Sequence, residues 1–401
     1  MIVMKFHKLD EVDVKGLRVL VRVDFNVPLT NDGEVADDTR INAALPTIKY
    51  LMKNGAKIIL VSHLGRPKGE RKAELSLVPV AKRLANLIRK EVLFVPDVIG
   101  EEVEMAVSSL ENGDILMLEN VRFYAEEEKG NPEFARKLAS LGDVFVSDAF
   151  SVAHRSHASN VGVAQYLKAY AGFLMIKEIE NLSMLLKPDN TLRPYYVVMG
   201  GAKVSDKIGV IDNILDKVDG LFIGGGMVFT FLKALGYEVG RSLLEEDYIE
   251  YSRNVIDKAK EQGKKIVLPT DIVVADSLDA ESGEVVPVES IPADKMGLDI
   301  GPQSIELFKR ELEDGKLVFW NGPMGVFEKT PFEEGTKSLA IFLANMAESG
   351  KAKVVLGGGD SAAAAHKFGV ADKYTHVSTG GGASLKFLEG KVLPGIKVLY
   401  W

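Results

Sequence analysis

Short apolar runs rich in valine, isoleucine and leucine recur along this chain without polar alternation. They fall at 19–23, 57–62, 115–118 and 144–146 in the first half. In the second half they fall at 195–199, 220–223, 265–268, 317–320, 353–356 and 374–377. A strand that is apolar at every position is covered on both faces, as strands of parallel sheets are. Between these runs the apolar positions repeat with helical spacing. Residues 38–53 place Ile41, Leu45, Ile48 and Met52 on one face, and 246–262 and 336–348 read as further helices. Pro46 should kink the first of these or mark its opening turn. Alternating strands and helices predict an α/β fold with two doubly wound, mostly parallel, Rossmann-like sheets.

A chain of 401 residues exceeds one ordinary core, so two domains are expected. Apolar positions at Ile176, Ile179, Leu182 and Leu185 give a connecting helix that runs from Gly172 to Lys187 and stops at Pro188. The expected division is 1–172 with a tail of about 388–401, a helical hinge at 173–187, and 188–387.

The two halves end their strands differently. In the second half, four runs end in glycine: Tyr195-Tyr-Val-Val-Met-Gly-Gly-Ala-Lys-Val-Ser-Asp-Lys207, Leu221-Phe-Ile-Gly-Gly-Gly226, Lys353-Val-Val-Leu-Gly-Gly-Gly-Asp-Ser361 and His376-Val-Ser-Thr-Gly-Gly-Gly382. Glycine costs about 0.5–1 kcal/mol relative to alanine inside an element, so its clustering at strand ends needs a reason. One is a plain tight turn. Another is close approach of bare backbone N–H groups to a polyphosphate, with Asp360 beside them for a divalent cation. Neither GxxxxGK[ST] nor GxGxxG occurs.

In the first half the strand ends carry cations. Arg22-Val-Asp-Phe-Asn-Val-Pro28, Ser62-His-Leu-Gly-Arg-Pro67, Glu119-Asn-Val-Arg-Phe123 and Asp148-Ala-Phe-Ser-Val-Ala-His-Arg-Ser-His157 each follow a run. Ligands of open α/β sheets lie outside the carboxyl ends of the strands. Arg66, Arg122 and Arg155 should therefore converge, with Arg40 nearby from the first helix, on an anion such as phosphate or carboxylate. Asp24 and Asn26 can fix hydroxyls of that ligand. His63 is expected to touch it, while His154 and His157 stay undecided. The acidic run 126–128 reads as a solvated loop.

Composition narrows the function class. The net charge of −8 argues against general nucleic-acid binding and makes a cluster of arginines more telling. The absence of cysteine excludes disulfides, thiolate nucleophiles and cysteine-based zinc sites. The first residues lack a secretory pattern, and no apolar run is long enough to cross a membrane, so a cytoplasmic protein is expected. One half suits a small charged organic anion and the other a nucleotide with metal. Group transfer between them requires exclusion of water, and so closure before reaction.

These blocks, together with Trp320-Asn-Gly-Pro-Met-Gly-Val-Phe-Glu328 and Ser378-Thr-Gly-Gly-Gly-Ala-Ser384, resemble the phosphoglycerate kinase family over essentially the whole length. The resemblance implies a glycolytic and gluconeogenic enzyme. Its reaction is reversible phosphoryl transfer from 1,3-bisphosphoglycerate to ADP, giving 3-phosphoglycerate and ATP, with Mg²⁺. It assigns phosphoglycerate to Asp24, Asn26, Arg40, His63, Arg66, Arg122 and Arg155. It assigns the nucleotide to Lys203, Lys207, Gly297, Glu328, Gly358, Gly359, Asp360 and Ser361, with Asp360 towards the metal and Glu328 at the ribose. Catalysis would fall to Arg40 and Lys203, with backbone N–H groups at Gly381 and Gly382. Lys207 has a second reading as a purely structural lysine. A monomer without membrane or nucleic-acid partners is expected, with residues 392–401 folding back on the first domain. The chain departs from the family where Ser151-Val152 replaces the usual Gly-Thr before Ala153-His154-Arg155. That puts the flexibility of this loop in question. Two other classes compete: a two-lobed anion-binding protein without chemistry, and a nicotinamide-dependent dehydrogenase. Asp360 speaks against the first and the missing GxGxxG against the second.

Overall fold

The computed structural model describes residues 5–400, so the readings of the extreme N-terminus and of Trp401 lie outside the described residues. The chain forms two compact units, Met1–Glu180 with Val392–Trp401 and Asn181–Lys391. The boundary falls inside the helix Phe173–Leu186, whose Met175, Ile179, Leu182 and Leu185 are buried at helical spacing. Residues 388–391 go with the second unit rather than with the tail. The Leu388 carbonyl accepts Asn213 Nδ2 at 2.6 Å, which ties the end of the last helix of that unit to its interior.

The first unit is built on six parallel strands: β1 (Arg18–Val23), β2 (Lys57–Val61), β3 (Leu93–Val95), β4 (Ile115–Leu118), β5 (Val144–Asp148) and β6 (Ala169–Ala171). Their order is β3-β4-β2-β1-β5-β6. The four strands expected from unbroken apolar runs occupy the four central places, where both faces are covered. The two edge strands have three residues each, too short for any periodicity to register. Ile41, Ala44, Thr47, Ile48 and Leu51 of the helix Thr39–Lys53 are buried, and the helix packs on this sheet. The buried stripe is thus turned from the expected one, with Leu45 and Met52 at its flank. The helix also continues through Pro46, eight residues in, which corrects the reading of that proline as a first-turn residue. A missing N–H interrupts one hydrogen bond, and the packed face carries the helix across it.

The second unit repeats the plan with β7 (Tyr195–Met199), β8 (Gly220–Ile223), β9 (Lys265–Val267), β13 (Leu317–Asn321), β14 (Lys353–Gly357) and β15 (His376–Val377), all parallel in the order β15-β14-β13-β7-β8-β9. A third sheet was not expected: β10 (Asp271–Ala275), β11 (Glu284–Pro287) and β12 (Met296–Ile300) form an antiparallel sheet in the order β11-β10-β12. Much of β11 is exposed, so its sequence carries no buried-strand signature.

Candidate active site

In the first unit the order β4-β2-β1-β5 sets four parallel strand ends side by side. Asp24 follows β1, His63 and Arg66 follow β2, Arg122 follows β4, and Ser151 and Arg155 follow β5. Arg40 enters from the first turn of the helix Thr39–Lys53. The sheet alone therefore explains why residues far apart in sequence share one edge.

The electrostatics of this edge are unusual for its depth. Arg122 is only 3% exposed; its Nη1 donates to the Gly65 carbonyl at 2.8 Å, and its buried Nη2 has no hydrogen-bond partner. Nε lies 3.4 Å from Glu128 Oε1. Burial, with Arg155 and Arg22 adding to it, pushes its guanidinium down to about 10. Among the described residues neither Arg66, which is exposed, nor Arg155, which is half-buried, has an ion-pair partner. Arg155 Nε donates to His154 Nε2 at 3.3 Å. Arg40 pairs with the buried Asp24. The half-buried Asn26 accepts the Gly65 N–H at 2.8 Å, so it supports the loop as well as facing the site. Several cations and an unanswered buried donor at one edge call for a multiply charged anion.

His63 is buried, and Arg22 Nη2 lies 3.2 Å from its Nδ1. Arginine has no acceptor, so Nδ1 must accept and the ring proton sits on Nε2. Burial, then Arg22, Arg122, Arg155 and Arg40, hold the imidazole well below its usual range. His63 is a neutral donor. Behind it, Arg22 is fully buried and Nε donates to Ser159 Oγ at 2.8 Å. Glu127 accepts the Ser159 hydroxyl at 2.6 Å and its N–H at 2.8 Å. The acidic run is therefore not a solvated loop: it forms the helix Ala125–Glu128 and buries Glu127 completely. A carboxylate facing a buried guanidinium balances charge that the surrounding cations would otherwise leave unopposed. His157 Nδ1 lies 3.8 Å from Glu127, and burial pushes this imidazole down to about 4.

In the second unit the glycine-ended strands again share one edge, but the glycines divide into two kinds. A Cβ on Gly200 would meet the Pro323 carbonyl at 2.1 Å, and one on Gly225 the Gly201 nitrogen at 2.5 Å. Those glycines let loops pack against each other, the plainer of the two readings. Gly359, Gly381 and Gly382 have open space where a Cβ would sit. Gly358 (φ +90°) precedes the helix Gly359–Lys367, and Gly381 (φ +53°) precedes the helix Gly382–Leu388. Such backbone favours glycine, and the first residues of the two helices, Gly359 and Gly382, are exposed with no side chain to cover their N–H groups.

These groups border a cavity of about 370 Å³ with Lys207, Asn321 and Asp360 in its lining. Lys207 is half-buried, donates to Asn321 Oδ1, and has its ammonium pushed down by burial against the pull of Asp206 and Asp360. Ser361 is buried and its Oγ accepts the Gly322 N–H at 2.6 Å, so its hydroxyl also serves the fold. A second cavity, of about 330 Å³, has Phe229, Leu243, Ile272 and Met324 among its walls, and Gly297 and Glu328 also line it. Asp360 borders both cavities. Lys203 is exposed and lines neither. An apolar slot suits a nucleobase, and a neighbouring N–H-rich, lysine-containing pocket suits its phosphates. The antiparallel sheet supplies Ile272 and Gly297 to the slot; the resemblance named Gly297, whereas no motif in the sequence marks Ile272.

The family model described as phosphoglycerate kinase matches residues 9–391. The chain belongs to the phosphoglycerate kinase family. A phosphoglycerate kinase from Coprothermobacter proteolyticus is 56% identical over 400 residues, 99% of each chain. One from Thermosipho africanus is 56% identical over 388 residues, 96% of each. Among solved structures, the phosphoglycerate kinase from Coxiella burnetii superposes with a TM-score of 0.88 at 40% identity, covering 98% of this chain and 99% of that one. The one from Pyrococcus horikoshii gives 0.83 at 32% identity, covering 98% of each. The expected fold class, family and enzyme class are borne out, and the binding-protein and dehydrogenase readings are set aside.

Proposed function

We propose that this kinase transfers a phosphoryl group reversibly from 1,3-bisphosphoglycerate to ADP, giving 3-phosphoglycerate and ATP. The observation that carries this reading is the buried guanidinium of Arg122, whose Nη2 lacks a hydrogen-bond partner at an edge shared with Arg66 and Arg155, neither of which has an ion-pair partner among the described residues. In our reading Arg66, Arg122, Arg155 and the Nε2–H of His63 hold the phosphate of phosphoglycerate, and Asp24 and Asn26 orient its hydroxyl. The nucleotide places its base in the slot lined by Phe229 and Met324, its ribose by Glu328, and its phosphates over Gly358–Ser361 and Lys207.

In the ATP-forming direction an ADP β-phosphate oxygen attacks the acyl phosphorus. The bond from that phosphorus to the carboxyl oxygen breaks, and its electron pair stays on the carboxylate of 3-phosphoglycerate. No enzyme nucleophile takes part, so the protein aligns the oxygens and answers the spreading charge. Arg40 and Lys203 serve that charge, joined by the N–H groups of Gly381 and Gly382. Asp360 fits Mg²⁺: it is exposed beside the phosphate cavity, and magnesium is commonly held by one or two carboxylates plus substrate phosphates. With nucleotide bound, its phosphates would complete the coordination. Bound Mg²⁺ supplies neutralisation of nucleotide charge. We further place the enzyme in the cytoplasm as a monomer; no described helix is long and apolar enough to cross a membrane.

The test is ATP plus 3-phosphoglycerate with Mg²⁺, coupled to NADH oxidation through a glyceraldehyde-phosphate dehydrogenase. Turnover that needs both substrates and the metal is expected. Silence with all three present would leave the reading without support.

A further inference from the structure

Asp24 is buried and both of its oxygens are engaged. Oδ1 accepts the Asn26 N–H at 3.0 Å, while Oδ2 accepts from Arg40 Nη1 and also from the hydroxyl of Ser151. Ser151 reaches it from another strand end, 127 residues along the chain. The short 3-10 helix that carries it, Phe150–Val152, is pinned on its far side. Asn160 Nδ2 donates to the Val152 carbonyl at 3.0 Å, and the Gly395 N–H donates to the Ala153 carbonyl at 2.8 Å. The fold therefore sets where this hydroxyl stands, and the question raised by Ser151-Val152 concerns chemistry more than mobility.

Arg40 cannot give its whole guanidinium to a substrate while it is spent on Asp24. A buried carboxylate that loses its cation is left poorly satisfied, and that cost opposes the release. A second donor on the same oxygen, from a residue that does not itself meet the reacting atoms, lowers the cost. We infer that Ser151 is a positioning residue that keeps Asp24 Oδ2 satisfied while Arg40 turns to the migrating phosphoryl group. The inference rests on the reaction proposed above and adds to it a group that the comparison of motifs marks only as a departure. It also predicts where the effect is felt. Ground-state binding of phosphoglycerate depends chiefly on Arg66, Arg122 and Arg155, whereas the Arg40–Asp24 exchange belongs to the chemical step.

Ser151→Val and Ser151→Thr have the same shape and differ in the hydroxyl. In the full-length enzyme, Ser151→Val should lower kcat about tenfold, the scale of one hydrogen bond to a charged acceptor. KM for 3-phosphoglycerate should move less than about threefold, a shift too small for a lost phosphate contact, and KM for ATP should not move. Ser151→Thr should recover most of kcat. In an Asp24→Asn background the Val substitution should have little further effect, because the two residues act through one contact. A merely structural serine gives a different result: both variants impaired together with a lower Tm, or losses that add in the double variant. Either outcome, or an unimpaired kcat in Ser151→Val, overturns the proposal. If the parent enzyme fails to turn over ATP and 3-phosphoglycerate, the proposed reaction is what fails, and the same assay tells the two apart.

Discussion

Arg22 illustrates how one buried side chain dictates the state of another. Because a guanidinium only donates, the contact from Nη2 to His63 Nδ1 fixes the imidazole as the Nε2–H tautomer. His63 is also pushed down by burial and by four neighbouring guanidiniums. Its ring should therefore stay neutral as pH passes through the ordinary imidazole range around 6.5, with a pyridine-like Nδ1 and a pyrrole-like Nε2 in ¹⁵N spectra of histidine-labelled protein. An imidazole that titrates in that window would contradict the assignment. The site arginines should separate kinetically. Arg40→Ala should lower kcat by roughly 10³ or more with little change in KM, as for an arginine that meets charge only in the transition state. Arg122→Ala should act mainly by raising KM for 3-phosphoglycerate. Unchanged kcat in Arg40→Ala would confine Arg40 to ground-state positioning. Arg66, Arg122 and Arg155 were legible in the sequence because they follow strand ends. Glu127 was not, since three consecutive glutamates look solvated until a buried guanidinium is found facing the middle one.

At the scale of elements, the helix Phe173–Leu186 starts on a carboxyl group. Asp148 Oδ1, at the end of β5, accepts the N–H groups of Leu174 at 3.0 Å and Met175 at 3.2 Å, and Thr47 Oγ1 accepts that of Phe173 at 2.9 Å. Capping of this kind satisfies donors that a first turn leaves over. Yet Asp148 is fully buried, and burial pushes it up to about 7. A folded value above the unfolded one means that the protonated form is favoured in the fold. The resulting stabilisation is fully present below pH 4 and is lost as pH climbs through about 7. Asparagine keeps the accepting oxygen and never ionises. Asp148→Asn should therefore gain on the parent as pH rises from 4 to 8, by at most about 1.4 kcal/mol per pH unit. Using the difference removes the opposite trend from His157, whose depressed value costs stability as pH falls from 6.5 towards about 4. Denaturant midpoints of the two proteins at pH 5 and pH 8 decide it, and a constant gap would show Asp148 ionised throughout. The helix itself was legible from its apolar spacing; its cap was not, because Asp148 lies 25 residues before it in sequence.

At the scale of the whole molecule, the chain leaves the first unit once and returns for its last residues, and only resemblance made that return legible. Nothing in the composition of 392–400 announces it, since the pattern is too short to name a partner. The physical link is nonetheless strong. Leu393, Ile396 and Leu399 are buried, and the N–H of His7 donates to the Leu399 carbonyl at 2.9 Å while Phe6 and Tyr400 form a bridge. Burying three such side chains contributes roughly 5–9 kcal/mol, comparable with the stability of a whole domain. A chain ending at Lys391 should therefore lose the first unit and keep the second, whose sheet and cavities draw no residue from the tail. Calorimetry should show the second unit's transition with the other missing or much lower, and limited proteolysis should leave a resistant fragment beginning near residue 181. The fragment should still bind ATP, because Gly358–Ser361, Lys207 and the Phe229 slot are all contained within it. A truncated protein that unfolds in one transition at the parent temperature would mean that the returning segment adds no cohesion, whatever its burial.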